Sequence, residues 1–216
     1  MTRYYWWFAV VLVVAVWLAS AWLYPSLPAR IPTHWGIDGK VDGYGSKGWA
    51  VFLLPTMIVG LMILFRFLPA LSPRNFELET FRSTYLLIMV LILGLFSFIH
   101  GMALYGAFHP DWAGMSRTLI GGMFLFFAPL GNVLGKVRRN FYIGVRTPWT
   151  LASERVWSDT HRLAAWLLVI GSLVGFGITV TGLPLVAAFV VLMASLLVPV
   201  VYSFAHYKRL ERRGAL

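Results

Sequence analysis

Hydrophobic residues in this chain of 216 residues gather into six long, uninterrupted runs, at 6–23, 49–65, 84–106, 118–134, 163–183 and 184–205. Each is about the length a helix needs to cross a hydrocarbon core of roughly 30 Å. The runs are continuous and do not alternate, which excludes a transmembrane barrel. Helices are then the only way to satisfy the backbone in lipid. The pattern predicts an all-α, polytopic membrane protein with six transmembrane helices. The first run follows Arg3 and contains Ala19-Ser20-Ala21, which is similar to a signal cleavage site. Its apolar stretch exceeds the roughly 7–15 residues of a cleaved signal, so an uncleaved helix is expected. Little more than Gly182-Leu183-Pro184 joins the last two runs, which makes them an antiparallel hairpin. Gly171, Ser172 and Gly175 leave room there for close helix packing.

Composition agrees, with 59% hydrophobic and only 12% charged residues, against about 25% charged in a soluble domain. Charge adds orientation. With the N-terminus placed in the cytoplasm, all eighteen Lys and Arg residues except Arg30, Lys40, Lys47 and Arg117 fall in cytoplasmic segments. That asymmetry is the positive-inside rule, and it predicts both termini cytoplasmic. The net charge of +10 is then read as a topology signal beside anionic head groups, with no direct nucleic-acid contact. The absence of Cys removes disulfides, thiolate nucleophiles and Cys-based metal sites.

Three polar segments interrupt the apolar runs. The inner loop 69–83 is expected to form a short interfacial turn, with Pro73 limiting where a helix starts. The outer loop 24–48 carries Pro25, Pro28 and Pro32, which favour extended backbone. Its Asp38-Gly39 and Asp42-Gly43 pairs read as tight turns. Asp38, Asp42 and Gly43 also fit three positions of a calcium loop, but Trp49 stands where the bidentate Glu is needed. His34-Trp35 is either a ligand grip or an interfacial aromatic anchor.

The third segment, 136–162, holds Lys136, Arg138, Arg139, Arg146, Arg155 and Arg162, together with Trp149 and Trp157. Thr147-Pro148 is a good helix start, with Thr as N-cap and Pro at the first position. A helix from Pro148 through Trp149, Ala152, Val156 and Thr160 is expected to continue into the fifth span, with Arg155, Glu154 and Asp159 pointing elsewhere. Gly144 would permit the turn before it. His161 is expected to act as a hydrogen-bonding residue.

Candidate chemistry is sparse. His34, His100, His109 and His161 show no ligand spacing, and no HExxH motif occurs, so no metal site and no cofactor is expected. The runs contain no Asp or Glu, which disfavours a proton-coupled transporter. Asn132 is the clearest candidate for a buried polar group. A nucleophile elbow is absent, and a non-enzyme is expected. An enzyme acting on a lipid phosphate through His161 and Arg146, and a small transporter or channel-like protein, are the alternatives.

Two stretches carry a family resemblance. Leu27-Pro28, Ile31-Pro32-Thr33-His34-Trp35, Gly39, Asp42-Gly43 and Lys47 resemble the short membrane domain of unknown function that often precedes an SdpI-type region. Asn140 through Leu151, then Glu154, Val156-Trp157 and Thr160-His161-Arg162, resemble the signature of the SdpI immunity-protein family. The resemblance divides the chain into an N-terminal two-helix region with its extracytoplasmic loop, 1–68, and an SdpI-like four-helix region with a cytoplasmic signature, 69–216. It implies a protein of the bacterial cytoplasmic (inner) membrane that gives immunity to a secreted peptide toxin, and that can signal by holding a small cytoplasmic repressor. On that reading the binding residues are Asn140, Gly144, Arg146, Thr147, Pro148, Trp149, Trp157 and His161 inside, and His34, Trp35, Asp38 and Asp42 outside. Arg146→Ala and Trp149→Ala are expected to abolish signalling, with the fifth helix as the lever.

Overall fold

The computed structural model describes residues 2–36, 41–73, 76 and 78–216. Its chain order is α1 (Arg3–Leu23), β1 (Arg30–Trp35), β2 (Val41–Ser46), α2 (Lys47–Phe67), α3 (Arg82–Phe108), α4 (Met115–Leu134), α5 (Pro148–Ala152), α6 (Glu154–Thr181) and α7 (Leu185–Arg212). Among the described residues, every helix except the short α5 is long and apolar enough to cross a membrane, which makes six spans. The six-helix reading of the sequence therefore holds. With an even number of crossings the two termini lie at one end of the bundle, together with the α2–α3 loop and segment 136–162. The hairpin β1–β2 and the α6–α7 turn lie at the other end.

α6 is the centre of one half, packed against α4 and α7, while α3 contacts α1, α2 and α4 and bridges the halves. Small residues set these approaches, among them Gly171 and Gly175, which the sequence singled out. A Cβ on Gly131 of α4 would come within 2.9 Å of the Val169 backbone nitrogen on α6, and one on Gly121 within 2.8 Å of Thr179 Oγ1. Gly171 likewise faces Ser195 of α7, and Gly175 lies under the Phe124 ring. In lipid, where helices gain nothing from shedding water, such close backbone contact is a main source of association.

The α6–α7 turn closes as the sequence indicates. Gly182 adopts φ +80°, the left-handed position that ends many helices. Arg117 of α4 donates to the carbonyls of Gly182 at 2.9 Å and Leu183 at 3.0 Å. It thereby satisfies orphan carbonyls and places a positive charge at the negative end of α6.

Three expectations change. Asn132 is exposed, not buried, because Gly131 and Val133 take the inward positions of α4. Buried polar contacts inside the spans come instead from α3, where His100 Nε2 lies 2.8 Å from Ser20 Oγ of α1 and Tyr85 donates its hydroxyl to the Phe65 carbonyl of α2 at 2.6 Å. The outer loop is not merely turns: β1 and β2 form an antiparallel hairpin with register shifts around His34. Asp42 sits within β2, so its carboxylate serves the strand pair and not a turn. Asp38 lies outside the described residues.

Candidate functional site

Segment 136–162 is a folded element whose centre is the imidazole of His161. The ring is 1% exposed and stacks on Trp157 at 4.0 Å between centroids. His161 Nδ1 lies 2.8 Å from the Trp157 carbonyl, and Nε2 accepts the Val145 N–H at 3.0 Å. These partners fix the neutral tautomer with its proton on Nδ1. Both ring nitrogens are thus committed to structure, as the hydrogen-bonding reading of His161 anticipated. Gly144 explains how the loop reaches the ring. Its φ is +109°, and a Cβ there would overlap His161 Nε2, so only glycine fits.

Asn140 organises the approach to that glycine. It is fully buried; its amide donates to the carbonyls of Arg138 at 2.8 Å and Ile143 at 3.1 Å. Its Oδ1 accepts the N–H groups of Tyr142 at 2.7 Å and Ile143 at 2.8 Å. One side chain therefore satisfies four backbone groups, the job for which Asn is favoured in turns. Trp157 does similar work, its Nε1 donating to the Val137 carbonyl at 2.8 Å.

Thr147-Pro148 does start a helix. Thr147 and Thr150 form a reciprocal capping box, and Thr150 Oγ1 also donates to the Val145 carbonyl at 2.8 Å. The helix that follows does not run on into the fifth span. It ends after one turn at Ser153, which is extended at φ −137° and ψ 125° and caps α6 through Val156 N. The break frees α5 to turn toward α7. There Trp149 Nε1 hydrogen-bonds Ser203 Oγ, and its ring meets Phe204 edge-on at 5.1 Å.

Asp159 also differs from expectation. It turns toward α7, with one carboxylate oxygen 2.9 Å from His206 Nε2 and the other accepting from Arg162 at 2.8 Å. Ser203 and His206 escaped the sequence reading because they lie in or just beyond an apolar run. Only the phase of α7 against α6 reveals them.

The element is also tied to the neighbouring loop. Tyr142 donates its hydroxyl to the Leu71 carbonyl at 2.7 Å, and Phe141 meets Phe76 at 4.3 Å. Arg139 lies over the Phe76 ring at 5.2 Å and donates to the Leu151 carbonyl at 3.0 Å. What remains exposed is a rim. Arg146 donates to the Phe141 carbonyl at 2.7 Å and borders a shallow depression with Phe141, Thr147, Leu151 and Val200. Pro148 is exposed beside it. Of the eight inner site residues the sequence singled out, seven build or border this one element. Trp149 turns away to clamp α7.

The outer candidates are less concentrated. Trp35 packs against Gly106 of α3, and Leu27 and Ile31 share a small core with Val51, Leu104 and Ala107. The hairpin is thus seated on the ends of α2 and α3. His34 Nδ1 pairs with Asp42 Oδ1 on the exposed side of the hairpin.

The comparisons with known proteins fall on these same two elements. Residues 136–203 match the SdpI/YfhL protein family, and residues 11–59 match DUF1648, a domain of unknown function. A relative from Bacillus subtilis (strain 168), Immunity protein SdpI, is 29% identical over 210 residues, covering 94% of this chain and 96% of the relative. No solved structure matches. The family resemblance read from the sequence, with its N-terminal domain of unknown function, is borne out.

Proposed function

We propose that this chain, a multi-pass membrane protein resembling the SdpI family along nearly its whole length, gives its cell immunity to a secreted peptide toxin. The observation that carries the reading is the alignment with an immunity protein across 94% of the chain, combined with a signature that folds into one connected element. The chain sits in the bacterial cytoplasmic membrane with both termini and segment 136–162 inside, as its basic residues imply. The N-terminal region, 1–68, presents the hairpin to the exterior. There Trp35 anchors it and the exposed His34–Asp42 pair is its polar face toward a toxin.

The engagement of both nitrogens of His161 supports a non-catalytic role, because a general base or nucleophile needs a free nitrogen within reach of substrate. The exposed Arg146 rim is the surface for a cytoplasmic partner, and a small repressor held there would couple immunity to transcription. Such coupling requires that toxin and repressor prefer one arrangement of the helices. α7 is a second lever beside α6, because Trp149 and Asp159 reach it from the signature element.

The test of the partner surface separates rim from scaffold. Arg146→Ala removes one exposed cation and one hydrogen bond, so the protein should fold, insert and protect while losing repressor recruitment in a membrane co-sedimentation assay. Recruitment equal to wild type would remove Arg146 from the partner surface.

A further inference from the structure

A second cationic place lies away from the signature, where three helix ends meet at the terminal end of the bundle. Trp6 stands in the first turn of α1, Arg66 in the last turn of α2, and Arg82 opens α3. Together with Phe65, Pro69, Leu78, Glu79, Tyr85 and Leu86 they line a cavity of about 350 Å³. We propose that this cavity binds a phosphate ester anion, the chemistry of an anionic phospholipid head group, through the guanidinium groups of Arg66 and Arg82.

Three observations and one general property of guanidinium groups support it. Among the described residues Arg66, exposed at the cavity mouth, has no hydrogen-bond or ion-pair partner and so is free to meet an anion. Among the described residues Arg82 pairs only with the exposed Glu79 at 3.1 Å, a contact that contributes little and is readily exchanged. Guanidinium forks match the geometry of phosphate oxygens, and two of them at one mouth bind an anion better than one. The start of α3 adds the positive end of a helix of 27 residues.

The inner walls are apolar, from Phe65, Leu78 and Leu86, and the neighbouring Trp7 and Phe8 of α1, in a helix apolar enough to span a membrane, are 70% and 55% exposed. An occupant with a charged head and an apolar body therefore meets matching surfaces at both ends. Basic pockets between helix ends are a known way for membrane proteins to hold anionic head groups. The inference is independent of the immunity reading, since it depends only on residues at the bilayer edge.

The experiment uses the purified full chain in detergent micelles, with bound lipid counted by native mass spectrometry during titration. Phosphatidylglycerol, phosphatidylcholine and soluble glycerol phosphate are the three ligands. Wild type should retain phosphatidylglycerol over phosphatidylcholine. Arg66→Gln, which removes no internal contact, should weaken phosphatidylglycerol binding about tenfold, and adding Arg82→Gln should abolish the preference. Glu79→Gln should strengthen binding by removing the opposing charge. Binding of glycerol phosphate with the same dependence on Arg66 would identify a soluble ester as the occupant, while binding of lipid alone would identify the head group. Equal retention of both lipids with no glycerol phosphate bound, or binding unchanged in Arg66→Gln, would overturn the site.

Discussion

Gly144 shows how a single missing side chain fixes the geometry around it. The loop passes so close to the imidazole that Nε2 accepts the next residue's N–H, and a methyl group would occupy the same space. Gly144→Ala carries two penalties, a left-handed backbone that Ala resists and a collision with a buried ring. We expect it to destabilise the protein by about 2–4 kcal/mol, seen as a lower midpoint in denaturant titration of the detergent-solubilised chain. Asn140 occupies a similar place in the logic, since its four hydrogen bonds each contribute about 1 kcal/mol. Both residues stood out in the sequence, for different reasons. The glycine before a turn announced its role without knowledge of the tertiary fold, whereas Asn140 was marked only as a binding residue by the family resemblance and its four backbone hydrogen bonds emerge from the structure. Asn132 stood out wrongly as a buried polar group and is exposed, because burial of one polar residue in an apolar helix depends on the phase of packing, which no local pattern states.

At the scale of elements, the apolar runs gave six helices directly, since length and continuity are what a bilayer demands. The boundaries within 136–162 were only half legible. Thr147-Pro148 correctly marked a start, but the stop at Ser153 was hidden, as Ser also occurs inside helices. What decides it is the gain on breaking: Ser153 caps α6, while α5 swings Trp149 onto Ser203. The hairpin was legible only as extended, turn-rich backbone, because its register depends on seating against α3. A further element-level device is the clamp of Arg117 on the end of α6. Arg117→Ala would leave the carbonyls of Gly182 and Leu183 without this donor and remove a favourable dipole contact. A loss of about 1–2 kcal/mol in thermal or denaturant unfolding is expected, with no change in membrane insertion. An unchanged unfolding midpoint would mean that water serves those carbonyls equally well.

Over the whole molecule, the two halves meet through α3 and share a core that extends from Ala9 and Ile58 to Val137 and Trp157. The signature element is therefore continuous with the first helices through this core. Orientation can be measured cleanly because the chain has no Cys. A cysteine placed at Tyr44, exposed on β2, should react with a membrane-impermeant maleimide in intact cells. One placed at Arg213, after α7, should react only after lysis. The reverse pattern would invert the topology and move the signature outside.

Immunity itself is tested most directly by survival. The chain is expressed in a bacterium killed by a secreted peptide toxin, its presence in the membrane is verified, and viable cells are counted across toxin doses. The account predicts that wild type raises the lethal dose and that Gly144→Ala, which disrupts the element around His161, forfeits much of that gain. Survival indistinguishable from cells lacking the chain, across several such toxins and with the protein folded in the membrane, would contradict it.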